Sequence, residues 1–237
     1  MQDRYVGDVG DFAKYSLLNH LSKGMRLGVA WYLYPDEAHN SDGKHISYLL
    51  QPKEWRHRDP FVFDSLKELL DNKARSISAI EQSGVLNAER FSSSCLQFSS
   101  SSPRNRSKWR YDWFDKTLND IDDCNIVFAD PDNGLCEDDK FKYCNVKSWK
   151  RLPISEAKAL SEGRVAIFYH HNSRRKGGHT EEIQFWMNRL SASCAIRFRA
   201  FSSRTFFIVN ATEELCGKAE NWSQKFHSKA EFIRSNP

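Results

Sequence analysis

Two carboxylates separated by a proline, Asp130-Pro131-Asp132, follow directly on the apolar run at 126–129 and are closed by Asn133-Gly134. A short apolar run of this kind reads as a strand buried on both faces, and ligands of open α/β sheets collect beyond the carboxyl ends of such strands. Pro131 fixes its own φ and biases Asp130 toward extended geometry, while Gly134 permits a tight exit. Asp-Pro and Asn-Gly are also ordinary turn dipeptides, which is the bland alternative. The same pattern recurs after two other apolar runs. The run at 27–33 empties into a polar loop, 34–45, that carries Asp36 and Asp42, and the run at 164–169 stops at His170-His171. Carboxylates and imidazoles gathered at one crevice suit Mg, Mn or Zn and the activation of water beside a phosphate. A metal-dependent phosphoesterase or nuclease using Asp36, Asp42, Asp130, Asp132, His170 and His171 is therefore one expectation, against the alternative that loop acids and histidines are simply solvated.

The elements that must position these residues alternate along the chain. Residues 8–21 read as a helix capped by Asp8 or Asp11, and 61–72 as another. Residues 76–80 read as a second strand closing on Glu81, an acid placed to accept the hydroxyl protons of a ribose. From 92 to 107 the chain is serine-rich, and Lys108-Trp109-Arg110-Tyr111 follows. A mobile insertion at about 92–110 is expected there, with basic and aromatic residues suited to a nucleic-acid backbone and its bases. Helices at 113–121 and 155–161 flank the strand at 126–129. Residues 170–179 mix basic residues with Gly177 and Gly178 ahead of a helix to about 191, an arrangement suited to anions. Residues 195–201 and 205–210 form an antiparallel hairpin, and a helix at 213–229 ends the chain. The pattern predicts one α/β domain over 1–237, a doubly wound, mostly parallel sheet with a terminal antiparallel hairpin.

Composition sets wide bounds. Lys and Arg total 35 against 31 Asp and Glu, a net charge of +4 that permits polyanion binding without demanding it. Six cysteines form no C-x-x-C pair and no secretory leader precedes Tyr5, so a cytoplasmic setting with reduced thiols is expected. No apolar run reaches the roughly 20 residues that span a bilayer.

The order of elements resembles the Rossmann-like S-adenosylmethionine-dependent methyltransferases, whose catalytic loop follows the fourth strand. Asp130 to Asn133 falls where the amino-methylating members carry an Asp-Pro-Pro-Tyr type motif. The segment Tyr5 to Tyr15, with Gly7, Asp11 and Lys14, resembles the H-A-G-N-x-A-D-x-x-K-H signature of bacterial ribosomal-RNA adenine-N6 methyltransferases. The resemblance implies S-adenosylmethionine as cofactor and an amino group of nucleic acid as target. It places Lys14, Asp36, Asp42, Glu81 and Asp130 toward the cofactor, and Asp130, Asp132, Asn133 and His170 toward the chemistry. Asp132 and Asn133 stand where that motif has its second proline and its aromatic, so stacking on the base would fall to Tyr169 or Trp31. After the first strand, where that class has a glycine-rich turn, only Gly43 is present. The chain also resembles uncharacterised bacterial proteins sharing W-Y-L-x-P-D-E, D-P-D-N-G-L and Y-H-H motifs. A third expectation is an inactive nucleotide-binding or interaction module on the same fold.

Overall fold

The computed structural model describes residues 1–37 and 45–235. Asp8 opens helix α1 (Val9–Leu21) by accepting the N–H groups of Gly10 and Asp11, so Asp8 is the cap and Asp11 turns inward. Strand β1 (Leu27–Ala30) is shorter than the apolar run, because the chain bends away at Tyr32, whose φ is +46°. Helix α2 (Pro52–Trp55) and helix α3 (Pro60–Asp71) follow, the latter capped by Asp59 with Pro60 in its first turn.

Helix α4 (Ile77–Ser83) replaces the strand expected at 76–80. Ser76 Oγ accepts the Ala79 N–H at 3.1 Å, Ile77 and Ile80 share one buried face, and Gly84 (φ +70°) ends the turn. Cap, spacing and terminator outweigh the β-like alternation of so short a run. The second strand is instead β2 (Arg90–Ser92).

Helix α5 (Pro103–Asp120) begins inside the stretch expected as a mobile insertion, so residues 103–110 are helical rather than loop. Arg110 is fully buried, and Trp109 stacks on both Phe98 and Trp149. Strand β3 (Ile126–Ala129) has every side chain buried, as its composition predicts. Short strands β4 (Leu135–Cys136) and β5 (Leu152–Pro153) pair parallel in a separate ribbon. Then come α6 (Ile154–Ser161), β6 (Val165–His171), α7 (Gly178–Leu190), β7 (Ala192–Ala200), β8 (Ser202–Val209), α8 (Glu213–Phe226) and β9 (Ala230–Arg234).

The fold is α/β with a mostly parallel seven-stranded sheet in the order β2-β1-β3-β6-β8-β7-β9, flanked by helices. β2, β1, β3 and β6 run parallel, while β8 lies antiparallel to both β6 and β7, and β9 antiparallel to β7. Successive strand residues enter different cores. Val29, Ile126, Phe128 and Ile167 pack with residues of α1, α3, α4 and α8. Ala30, Val127, Ala129, Ala166 and Phe168 pack with residues of α5, α6 and α7. Among the described residues no helix is long and apolar enough to cross a membrane.

Candidate functional site

A pocket of about 460 Å³ opens beyond the carboxyl ends of β3 and β6 and is closed on its other side by the start of α1 and the β7–β8 turn. Its lining includes Asp8, Asp11 and Lys14 from the α1 side, Asp130 to Asn133 from the loop after β3, and Tyr169 and His171 from β6. At its floor Lys14 Nζ donates to Asp11 Oδ1 at 2.8 Å and to Asp130 Oδ2 at 2.6 Å. All three residues are buried. Burial alone would lower the Lys14 pKa, but Asp11 and Asp130 outweigh it and hold the ammonium above its usual range. Burial pushes Asp11 up to about 6, with Lys14 opposing and Asp8 and Asp130 adding to the shift. Asp11 Oδ2 also accepts the Gly7 N–H at 3.0 Å, which ties the turn before α1 to the same cluster.

The loop after β3 is held from two sides. Asn133 N–H donates to the Lys150 carbonyl at 2.8 Å, and Leu152 N–H to the Gly134 carbonyl at 2.9 Å, so the loop leaves the sheet through the β4–β5 ribbon. Gly134 (φ +73°) lies against His170: a Cβ there would come within 2.5 Å of the imidazole Nδ1 and 3.0 Å of the His171 backbone N. His170 Nδ1 accepts the Leu135 N–H at 3.0 Å, which leaves the proton on Nε2, facing Glu182 Oε1 at 3.2 Å. Burial lowers the His170 pKa, opposed by Glu182. Glu182 is held down at about 2, because hydrogen bonds from His170 and Ser173 overcome its own burial.

The residues expected from sequence therefore separate. Lys14, Asp130, Asp132 and Asn133 line the pocket together. His170 does not, because alternation along β6 turns Tyr169 and His171 into the pocket and His170 toward Trp186 and Phe207. Its place behind the loop fits a positioning residue. Asp36 accepts the Arg4 N–H at 3.2 Å outside the pocket lining. Asp42, with residues 38–44 of its loop, lies outside the described residues. Glu81 is on α4, not at a strand end, and accepts the Trp31 indole N–H at 2.9 Å. Of the two residues expected to stack on a base, Tyr169 lines the pocket and Trp31 is fully buried against Phe91.

The crevice beyond β1, where a cofactor of the resembled class would lie, is filled by this chain. The Met1 amine donates to the carbonyls of Trp31 (3.3 Å), Tyr32 (3.0 Å) and Asp130 (2.9 Å), and burial lowers its pKa against Asp132 and Asp130. Gln2, also buried, donates to Asp132 Oδ2 at 2.7 Å, and Lys150 Nζ stands 3.3 Å from the same oxygen. Bulky Trp31 and Tyr32 follow the strand in place of glycines, so in this arrangement the residues present do not fit S-adenosylmethionine there. Nor do three or more His, Cys, Asp or Glu converge on a metal-sized site among the described residues.

The pocket places of Asp11 and Arg204 do not follow from any local pattern. Asp11 was equally readable as a helix cap, and Arg204 reaches the pocket only because β8 pairs Arg204 with His171. No protein-family model matches the chain, and no curated protein matches it in sequence.

Proposed function

We propose that the protein is a methyltransferase-like α/β domain that receives an amino-bearing base of nucleic acid in the pocket beside Asp130. The observation that carries this reading is the buried Lys14–Asp130 contact at the mouth of β3, on the wall of a pocket large enough for a base. Lys14 occupies Oδ2, and a carboxylate has about four lone-pair sites across its two oxygens, so Asp130 retains capacity to accept an N–H from a ligand amine. The Pro131 carbonyl already accepts the Gly134 N–H at 3.3 Å and keeps a second lone pair. Tyr169 supplies a ring in the same wall. The strand order, with β8 antiparallel between β6 and β7, supports the doubly wound methyltransferase-type topology and its reversed strand near one edge.

Methylation of the bound amine from S-adenosylmethionine is the reaction the resemblance implies. The filled crevice beyond β1 favours binding without turnover. Of the acids and histidines named for a metal-dependent phosphoesterase, Asp130, Asp132 and His171 line the pocket while His170 and Asp36 stand apart, so the base-binding reading has the greater support.

Calorimetry with a short single-stranded RNA and, separately, with S-adenosylmethionine tests the proposal, alongside methyl incorporation from labelled cofactor. The expected result is RNA binding that weakens about tenfold in Asp130→Asn, consistent with loss of a charge-assisted hydrogen bond, with Asp132→Asn affected less. Absence of RNA binding would sink the reading. Tight cofactor binding with methyl incorporation would replace the binding module with the enzyme.

A further inference from the structure

The pocket has a second end that the amine does not use. Arg204 projects into it from β8 and is 3% exposed, yet this permanently charged guanidinium has no close carboxylate partner among the described residues. Its ion-pair contact, Nη1 to Asp8 Oδ1, is 3.8 Å, beyond hydrogen-bond range, and that carboxylate oxygen already accepts the N–H groups of Gly10 and Asp11. Nη2 donates to Ser202 Oγ, and Nε has no partner. The other buried arginine, Arg110, has Glu156 at 2.6 Å. Buried charges are ordinarily paired, so Arg204, whose one carboxylate contact among the described residues is the 3.8 Å approach of Asp8, is a cation with capacity for a further anion.

The surroundings fit that anion's place. Gly10 makes room for the guanidinium, since a Cβ at that position would fall 1.7 Å from Nη1. His45, Ser173 and Ser202 line the same end, and His45 is held at the rim by stacking on Phe201 with ring centroids 5.0 Å apart. Phe201 is itself exposed in the left-handed region (φ +63°) at the β7–β8 turn, a conformation that costs a non-glycine residue.

We propose that Arg204, with His45 and Ser202, forms an oxyanion subsite for the phosphate of the nucleotide whose base lies beside Asp130. The subsite rests on the nucleic-acid reading above and narrows it: the ligand is a phosphorylated nucleotide unit, not a nucleoside or a small amine. An arginine fork suits a phosphate's paired oxygens, and the Ser202 hydroxyl, which accepts from Arg204 and keeps its own proton, and the His45 imidazole add donors.

Calorimetry with adenosine, adenosine 5′-monophosphate and inorganic phosphate tests it. The monophosphate is expected to bind about tenfold or more tighter than adenosine, the scale of one charge-assisted contact, and Arg204→Gln should erase that difference while leaving adenosine binding in place. Gly10→Ala, which keeps the charge but displaces the guanidinium, should act in the same direction, and Arg204→Lys should recover part of the preference. Equal binding of adenosine and its monophosphate overturns the subsite and leaves the base pocket standing. Phosphate binding that depends on Arg204 but gains nothing from the nucleoside reassigns the subsite to inorganic phosphate and overturns the nucleotide. Failure of all three ligands to bind overturns both readings. Thermal unfolding of each variant separates loss of binding from loss of fold.

Discussion

With Lys14 held between Asp11 and Asp130, one buried ammonium faces two buried carboxylates, and the surplus negative charge has to be relieved as pH changes. The proton goes to Asp11, whose pKa is pushed up to about 6 from 3.8. A carboxyl with a raised folded-state pKa makes the native state bind more protons than the unfolded chain, so its contribution to stability is full below about pH 4 and is lost as pH rises through 6. Other groups titrate in the same window, so the test is a difference. Urea unfolding of wild type and Asp11→Asn at intervals from pH 4 to 7 should show the wild-type advantage shrinking as pH rises, by up to about 1.4 kcal/mol per pH unit. Lys14→Met should cost roughly 3–5 kcal/mol at neutral pH, because it strands two buried carboxylates, and part of that loss should return in acid. Asp130 was legible in the sequence because a strand ending on Asp-Pro has few other places to put its acid. Lys14 was legible only through the resemblance. Arg204 was not, since its position depends on the register of two strands far apart in sequence, and nothing local encodes that.

Among the elements, the loop from Asp130 to Leu135 behaves as a short bracket clamped between β3 and β4. Gly134 is where the clamp is tightest. Gly134→Ala would place a side chain in the left-handed region and against His170 at once, so a loss of about 1–3 kcal/mol is expected in chemical denaturation. His170→Ala should also loosen the loop, through the unpaired Leu135 N–H, while leaving the pocket's own charged groups in place. That pairing of outcomes distinguishes a positioning role for His170 from a part in the chemistry. The helices and strands with clear periods, α1, β3, β6 and α7, were legible from sequence. α4 is ambiguous in sequence because its apolar residues also suit a short strand, and only the Ser76 cap and Gly84 decide for the helix. β9 was missed because residues 230–234 follow a strong helix pattern and their partner β7 lies far back in the chain.

At the scale of the whole molecule, stability should fall outward from the middle of the sheet. β1, β3 and β6 carry buried side chains that enter two separate cores, so their amides should exchange slowest, with β2 and β9 opening first. Native-state hydrogen exchange checks this ranking, and uniform protection across the seven strands would contradict it. The general architecture was legible because alternating apolar runs and helices leave few ways to build a layered α/β fold. The filled crevice beyond β1 was not, since the packing of Met1 and Gln2 against residues 31, 32, 130 and 132 is a long-range event.

The two rims of the sheet bear on how the molecule behaves in company. β2 is 3 residues long and β9 is 5. Arg90 pairs with Asp123 beside one rim, and Glu231 with Arg197 and Arg199 at the other, where Arg234 also meets Glu213. A neighbouring chain seeking to add a strand would find a short template edged with charge at either side. Crowding of native molecules should therefore not seed fibrils by sheet extension, whereas an unfolding event that bares β1 or β3 would expose unpaired backbone N–H and C=O groups on strands with apolar side chains, an edge competent for it.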